Sequence, residues 1–220
     1  MMNLVYKEFV QLRLYLLEIA GFMALAVIVF GKANPDFAMS YVYVFPVVLG
    51  LTLPQIVFGQ EERGNTFAFL RSLPIRPSEI VAAKYLVSAV VTVVFLALIG
   101  LAGALRVVPL QGVYVAVSAV GFASFALAGI SFFAHFWLGQ KQARVALLLI
   151  TFTLAIPVML LSRGGGSTAA ILGAKLAWLE PLVTSPAGVC VALAAGLAVF
   201  SLSFVSSAWL FAKRDLSRLP

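Results

Sequence analysis

Apolar residues in this chain gather into long runs instead of alternating with polar ones. Six runs, at 14–30, 41–59, 85–105, 113–138, 145–161 and 187–211, are each closed by charged or turn-forming residues. A helix needs about 20 apolar residues to cross the hydrocarbon of a bilayer, so the pattern predicts an all-α integral membrane protein with six transmembrane helices. Ahead of the first run, Met1, Val5, Phe9 and Leu12 recur at helical spacing on one side, with Lys7, Glu8 and Gln11 on the other. This predicts an N-terminal amphipathic helix lying in the membrane interface; the stretch lacks the layout of a cleaved signal peptide.

Composition narrows the class. Hydrophobic residues make up 63% of the 220 and charged residues 10%, with a mean hydropathy of +1.09, which excludes an ordinary water-soluble domain and leaves one membrane domain over 1–220. The net charge of +7 does not point to nucleic acid, because Lys and Arg stand singly at the ends of apolar runs and not in a basic stripe. They report topology. Six spans bring both termini to one side, and a cytoplasmic assignment puts eleven basic residues inside: Lys7, Arg13, Arg63, Arg71, Arg76, Lys84, Lys141, Arg144, Lys213, Arg214 and Arg218. Four remain outside, Lys32, Arg106, Arg163 and Lys175, so the positive-inside rule predicts cytoplasmic N- and C-termini. A single cysteine, Cys190, provides neither a disulfide framework nor a thiolate metal site.

Two connections are too long for simple turns. The outer one, 162–186, opens with the flexible run Gly164 to Ser167 and holds an apolar stretch at 169–179 that is too short to span, predicting a short external re-entrant helix before the last span. The inner one is 60–84, and from Glu61 to Leu86 the chain reads EERGNTFAFLRSLPIRPSEIVAAKYL, the main concentration of charge, turn formers and aromatics. Asn65 is suited to cap a short helix through about Leu73, on which Phe67, Phe69, Leu70 and Leu73 form a broad apolar face with Arg71 projecting elsewhere. Pro74 and Pro77 end it, and Pro77, Ser78 and Glu79 favour the start of the next helix. On physical grounds alone, such a helix either lies on lipid headgroups or docks a partner.

The paired acids, the glycine, the aromatic-rich turn, LRSLPIRPSEIV and then AAKYL together resemble the first cytoplasmic loop of ABC transporter permeases of the type-2 exporter superfamily. The resemblance implies that this segment is a coupling helix seated on an ATP-binding cassette ATPase subunit. Glu61, Glu62 and Gly64 then match the approach, Phe67, Phe69, Leu70, Arg71 and Leu73 the docked helix, and Pro74 onward the return into the third span. It also implies a bacterial-type cytoplasmic membrane and a second permease copy or a related permease, forming a homo- or heterodimer. No phosphate-binding loop of the Walker type occurs in the chain, so no cofactor is expected here, and ATP and Mg are expected in the partner. The function implied is export of a hydrophobic or amphipathic substrate.

Ionisable residues within spans are functional candidates by default, which singles out Glu18 and His135. Both stand near the inner ends of their runs, where each can reach headgroups or a neighbouring polar group; the functional alternative is a proton or substrate contact at the inner mouth. Pro46, Pro54 and Pro157, with Thr52 and Gln55, fit helix kinking and packing. An ion-coupled secondary transporter, the main rival, would show ionisable residues near the midplane, yet Asp36, Asp215, Glu61, Glu62 and Glu79 all fall outside the runs. An intramembrane enzyme would have only a serine with His135 to draw on.

Overall fold

The computed structural model describes residues 2–31, 47–59, 76–104, 110–150 and 185–213. Every regular element among them is helical: α1 (Met2–Gly31), α2 (Val47–Gly59), α3 (Pro77–Ala104), α4 (Leu110–Val115), α5 (Gly121–Leu138), α6 (140–150) and α7 (Pro186–Lys213), with a π-helical turn at Ala116–Val120 joining α4 to α5. Pro77 stands at the first helical position of α3, where a missing N–H is harmless, and Glu79 in the first turn complements the helix dipole. The Glu79 amide donates to the Arg76 carbonyl at 2.9 Å, so the start expected from Pro77, Ser78 and Glu79 is the observed one.

Among the described residues, three helices are long and apolar enough to cross a membrane: Pro77–Leu101, Val113–Leu138 and Pro186–Lys213. They overlap the runs at 85–105, 113–138 and 187–211, the first beginning eight residues earlier, at Pro77. The 13 residues of α2 lie within the run at 41–59, and the run at 145–161 is described as far as 150, in α6. The inner amphipathic stretch after Gln60 and the outer stretch at 169–179 lie outside the described residues, as do Pro46 and Pro157.

Two expectations change. The interfacial N-terminal helix and the first apolar run are not separate elements, because α1 is one helix of 30 residues. Neither Gly nor Pro occurs between Met2 and Ala20, so nothing in the sequence breaks the helix near Arg13. Its inward side is also not the expected one: Leu4, Glu8 and Leu12 are buried, while Val5 and Phe9 are half-buried. The second change is at 139–144, expected to be a loop. Only Gly139 interrupts the helix, at a φ of 81° that suits glycine, and the Ala143 amide already donates to the Gly139 carbonyl at 2.9 Å.

α5 is central, with Ala128, Ser131 and Phe132 fully buried. It meets α7 closely because each helix offers a glycine: a Cβ on Gly129 would stand 3.2 Å from the Phe200 Cα, and one on Gly196 would stand 3.0 Å from the Phe122 Cα. One apolar cluster joins α1, α2, α3, α5 and α7 through Leu4, Phe58, Val81, Phe132 and Phe200; a second fills the space between α1, α2 and α3 with Leu12, Leu53, Val57 and Val91.

Candidate functional site

The start of α1, the end of α2, the start of α3, the end of α5, the start of α6 and the end of α7 meet at one end of the bundle, and buried polar groups concentrate there. Lys84, two turns into α3, donates from Nζ to Oε1 of Glu8, two turns into α1, at 3.1 Å. The two side chains are only 0% and 3% exposed, so the charges neutralise each other away from bulk water. Partly exposed Lys7 approaches the same oxygen at 3.4 Å, and Glu8 Oε2 has no hydrogen-bond partner among the described residues.

Lys84 Nζ also lies 5.3 Å from the centroid of the Phe58 ring, within cation–π range. The same ring leads into α5: Phe58 stacks on His135 with centroids 4.9 Å apart and planes 12° from parallel, and meets Phe136 edge-on at 5.0 Å. His135 Nδ1 is 2.7 Å from the Ser131 carbonyl, which can only accept, so Nδ1 carries the proton. Phe136 in turn packs edge-on against Phe211 of α7. Glu8, Lys84, Phe58 and His135 thus tie α1, α3, α2 and α5 in series.

Tyr85 turns the other way from α3. Its hydroxyl lies 2.7 Å from Ser203 Oγ and 2.9 Å from Ser207 Oγ, and Ser203 donates to the Gly129 carbonyl. Because Ser203 has one hydroxyl proton, the direction is fixed: Ser207 donates to Tyr85, Tyr85 to Ser203, and Ser203 to Gly129. The ring is packed by Phe132, Phe200 and Phe204 with centroids 4.7, 5.0 and 5.4 Å away. Adjacent residues of α3 therefore fasten it to α1 on one side and to α5 and α7 on the other.

This layer holds both roots of segment 60–75. On the α2 side, Phe58 is fixed by the His135 stack, and Gly59 lies so close to α6 that a Cβ there would be 3.3 Å from an Arg144 guanidinium nitrogen. On the α3 side, Lys84 and Tyr85 supply the anchors. The residues expected to meet a partner, Glu61, Glu62, Gly64, Phe67, Phe69, Leu70, Arg71, Leu73 and Pro74, lie outside the described residues. Glu18 is exposed on α1, whereas His135 is buried and turns to Ser131 instead of to headgroups. Pro54 is buried in α2, and nearby Thr52 donates back to the Val48 carbonyl at 3.0 Å, so both serve the helix. Among the described residues no three His, Cys, Asp or Glu side chains come together as a metal site. The arrangement joins helix to helix.

Sequence reasoning missed Glu8 and Lys84 as interior residues, assigning Glu8 to the outward polar side. The available signal was that both charges are close ahead of apolar runs on the same predicted side of the membrane, with opposite signs. A family model described as ABC-2 family transporter protein matches residues 3–212. No curated protein and no solved structure matches the chain.

Proposed function

The chain belongs to the ABC-2 transporter family, and from that membership we propose that it is the transmembrane permease subunit of an ATP-binding cassette exporter, with ATP and Mg bound by a separate ATPase. The observation that carries this reading is the family match over residues 3–212, almost the whole chain. Six spans form half of the pump, and a second copy or a related permease completes it. The orientation is that favoured by the basic residues, with both termini in the cytoplasm.

In this reading residues 67–73 form the coupling helix on the ATPase, with Phe67, Phe69, Leu70 and Leu73 docked, Arg71 alongside, Glu61, Glu62 and Gly64 on the approach and Pro74 on the return. The rooting of segment 60–75 supports a mechanical role. A push on that segment reaches α2 and α3 together, and the Glu8–Lys84 pair, the Phe58–His135 stack and the Tyr85 hydroxyl chain carry it into α1, α5 and α7. The buried polar groups of α3, α5 and α7 are largely hydroxyls, including Ser88, Thr92, Ser124 and Ser131, which supports a hydrophobic or amphipathic cargo over a highly charged one.

Transport by inverted vesicles carrying the chain and a co-expressed ATP-binding cassette subunit is expected to require both that subunit and ATP. Uptake that persists without the ATPase and follows an ion gradient would overturn the proposal in favour of a secondary carrier. For topology, cysteines placed at Ser72 and Ser167 in a Cys190→Ser background are expected to label from opposite sides of the membrane. Labelling from one side would contradict the six-span arrangement.

A further inference from the structure

The end of α7 bears a feature that the coupling account does not use. Leu202, Val205, Trp209 and Lys213 follow one another at intervals of three, four and four residues along one side of the helix, and all are exposed; the three apolar members are 69%, 62% and 56% accessible. At 1.5 Å per residue this stripe is about 16 Å long, close to the hydrocarbon depth of one leaflet. It is apolar along its length and cationic at its tip.

The tip is also concave. Phe136 and Trp137 at the end of α5 and Trp209, Leu210 and Lys213 of α7 line an open cleft of about 280 Å³. Trp137 is 57% exposed, and Lys213 Nζ is held 4.1 Å from the centroid of the Trp209 ring. Lys213 forms no ion pair among the described residues, and its ammonium is positioned by an aromatic face and by its own helix end. Lys141, exposed just beyond Gly139, adds positive charge at the same end of the bundle.

We propose that this cleft binds the headgroup of an anionic phospholipid from the leaflet at this end of the bundle. The phosphate meets Lys213, the glycerol region rests between Trp137 and Trp209, and an acyl chain follows Val205 and Leu202. The cavity suits a headgroup and the first chain carbons; it is too small for a whole lipid, whose chains lie along the outside of α7. Zwitterionic lipid gives the same apolar contacts, but its own ammonium competes with Lys213 for the phosphate. Selectivity therefore depends on the lysine.

Tryptophan quenching by lipids brominated on the acyl chain tests this in reconstituted full-length protein. The chain has three tryptophans, and Trp178→Phe leaves Trp137 and Trp209 as the emitters. Brominated phosphatidylglycerol is expected to quench about fivefold more effectively per mole than brominated phosphatidylcholine, the effect of roughly one lysine facing anionic headgroups. Lys213→Gln is expected to bring the two lipids to parity, and Lys141→Gln to leave most of the preference intact. Equal quenching in the parent protein, or equal losses from the two lysine substitutions, would overturn the proposal, the second by showing diffuse surface attraction. Native mass spectrometry of the unmodified chain gives a second reading that does not depend on Trp178→Phe folding: retained phosphatidylglycerol is expected, and its persistence in Lys213→Gln would contradict the site.

Discussion

Lys84 and Tyr85 are neighbours on α3 that fasten the helix in opposite directions by different chemistry. Lys84 meets α1 through a buried pair of full charges, whereas Tyr85 meets α5 and α7 through neutral hydroxyls that relay from Ser207 to the Gly129 carbonyl. A buried ion pair is asymmetric: losing one member strands the other in a medium that solvates it badly, while losing both removes the difficulty. A hydroxyl chain lacks this all-or-none character, since each link removed leaves a neutral group behind. The α1 contact therefore behaves as a lock, and the α5/α7 contact as a graded fastening.

Substitutions can break or sharpen that contrast. The largest effect is expected from Lys84→Ala, which leaves the buried Glu8 carboxylate only the longer, 3.4 Å approach of partly exposed Lys7; a loss of up to about 3–5 kcal/mol would be read as a marked fall in the thermal unfolding midpoint in detergent. Glu8→Leu combined with Lys84→Met is expected to recover most of that loss. A double variant as unstable as the sum of its single changes would show that the two charges act independently, contrary to the 3.1 Å geometry. Tyr85→Phe removes two hydrogen bonds while keeping the aromatic packing, so a loss of about 1–2 kcal/mol is expected in the same assay. Ser207→Ala removes only the first link and is expected to cost less than about 1 kcal/mol, because Tyr85 still donates to Ser203. If Ser207→Ala matched Lys84→Ala, the distinction between lock and graded fastening would be wrong.

Much of the fold was legible because it follows from local rules. Apolar runs gave the helices at 85–105, 113–138 and 187–211, and Pro77 with Glu79 gave the start of α3. Relations between helices were less legible. The amphipathic pattern of α1 taken alone turns Glu8 outward, whereas Lys84 on α3 makes its side the buried one. Hydropathy likewise cannot separate α5 from α7, both strongly apolar. The first is enclosed because Gly129 and neighbouring small residues admit other helices, while α7 leaves Leu202, Val205 and Trp209 exposed. The restart of the helix at Gln140 is hidden because Gly139, Gln140 and Lys141 read as a polar break, though only the glycine departs from helical geometry. The family resemblance was legible from a short stretch with an unusual order of residues, and the match over 3–212 agrees with it. The proposed docking surface, 67–73, rests on that resemblance and on its position in the chain between two fixed roots.

The most direct test of the central claim is recovery of the partner ATPase with the chain. Co-expressed and purified through a tag on the permease, the unmodified protein is expected to bring the ATP-binding cassette subunit with it. Phe69→Asp and Leu70→Asp are expected to release that subunit while the permease stays membrane-inserted with an unchanged unfolding midpoint. Retention of the ATPase by both variants, with ATP-driven transport intact, would contradict the account.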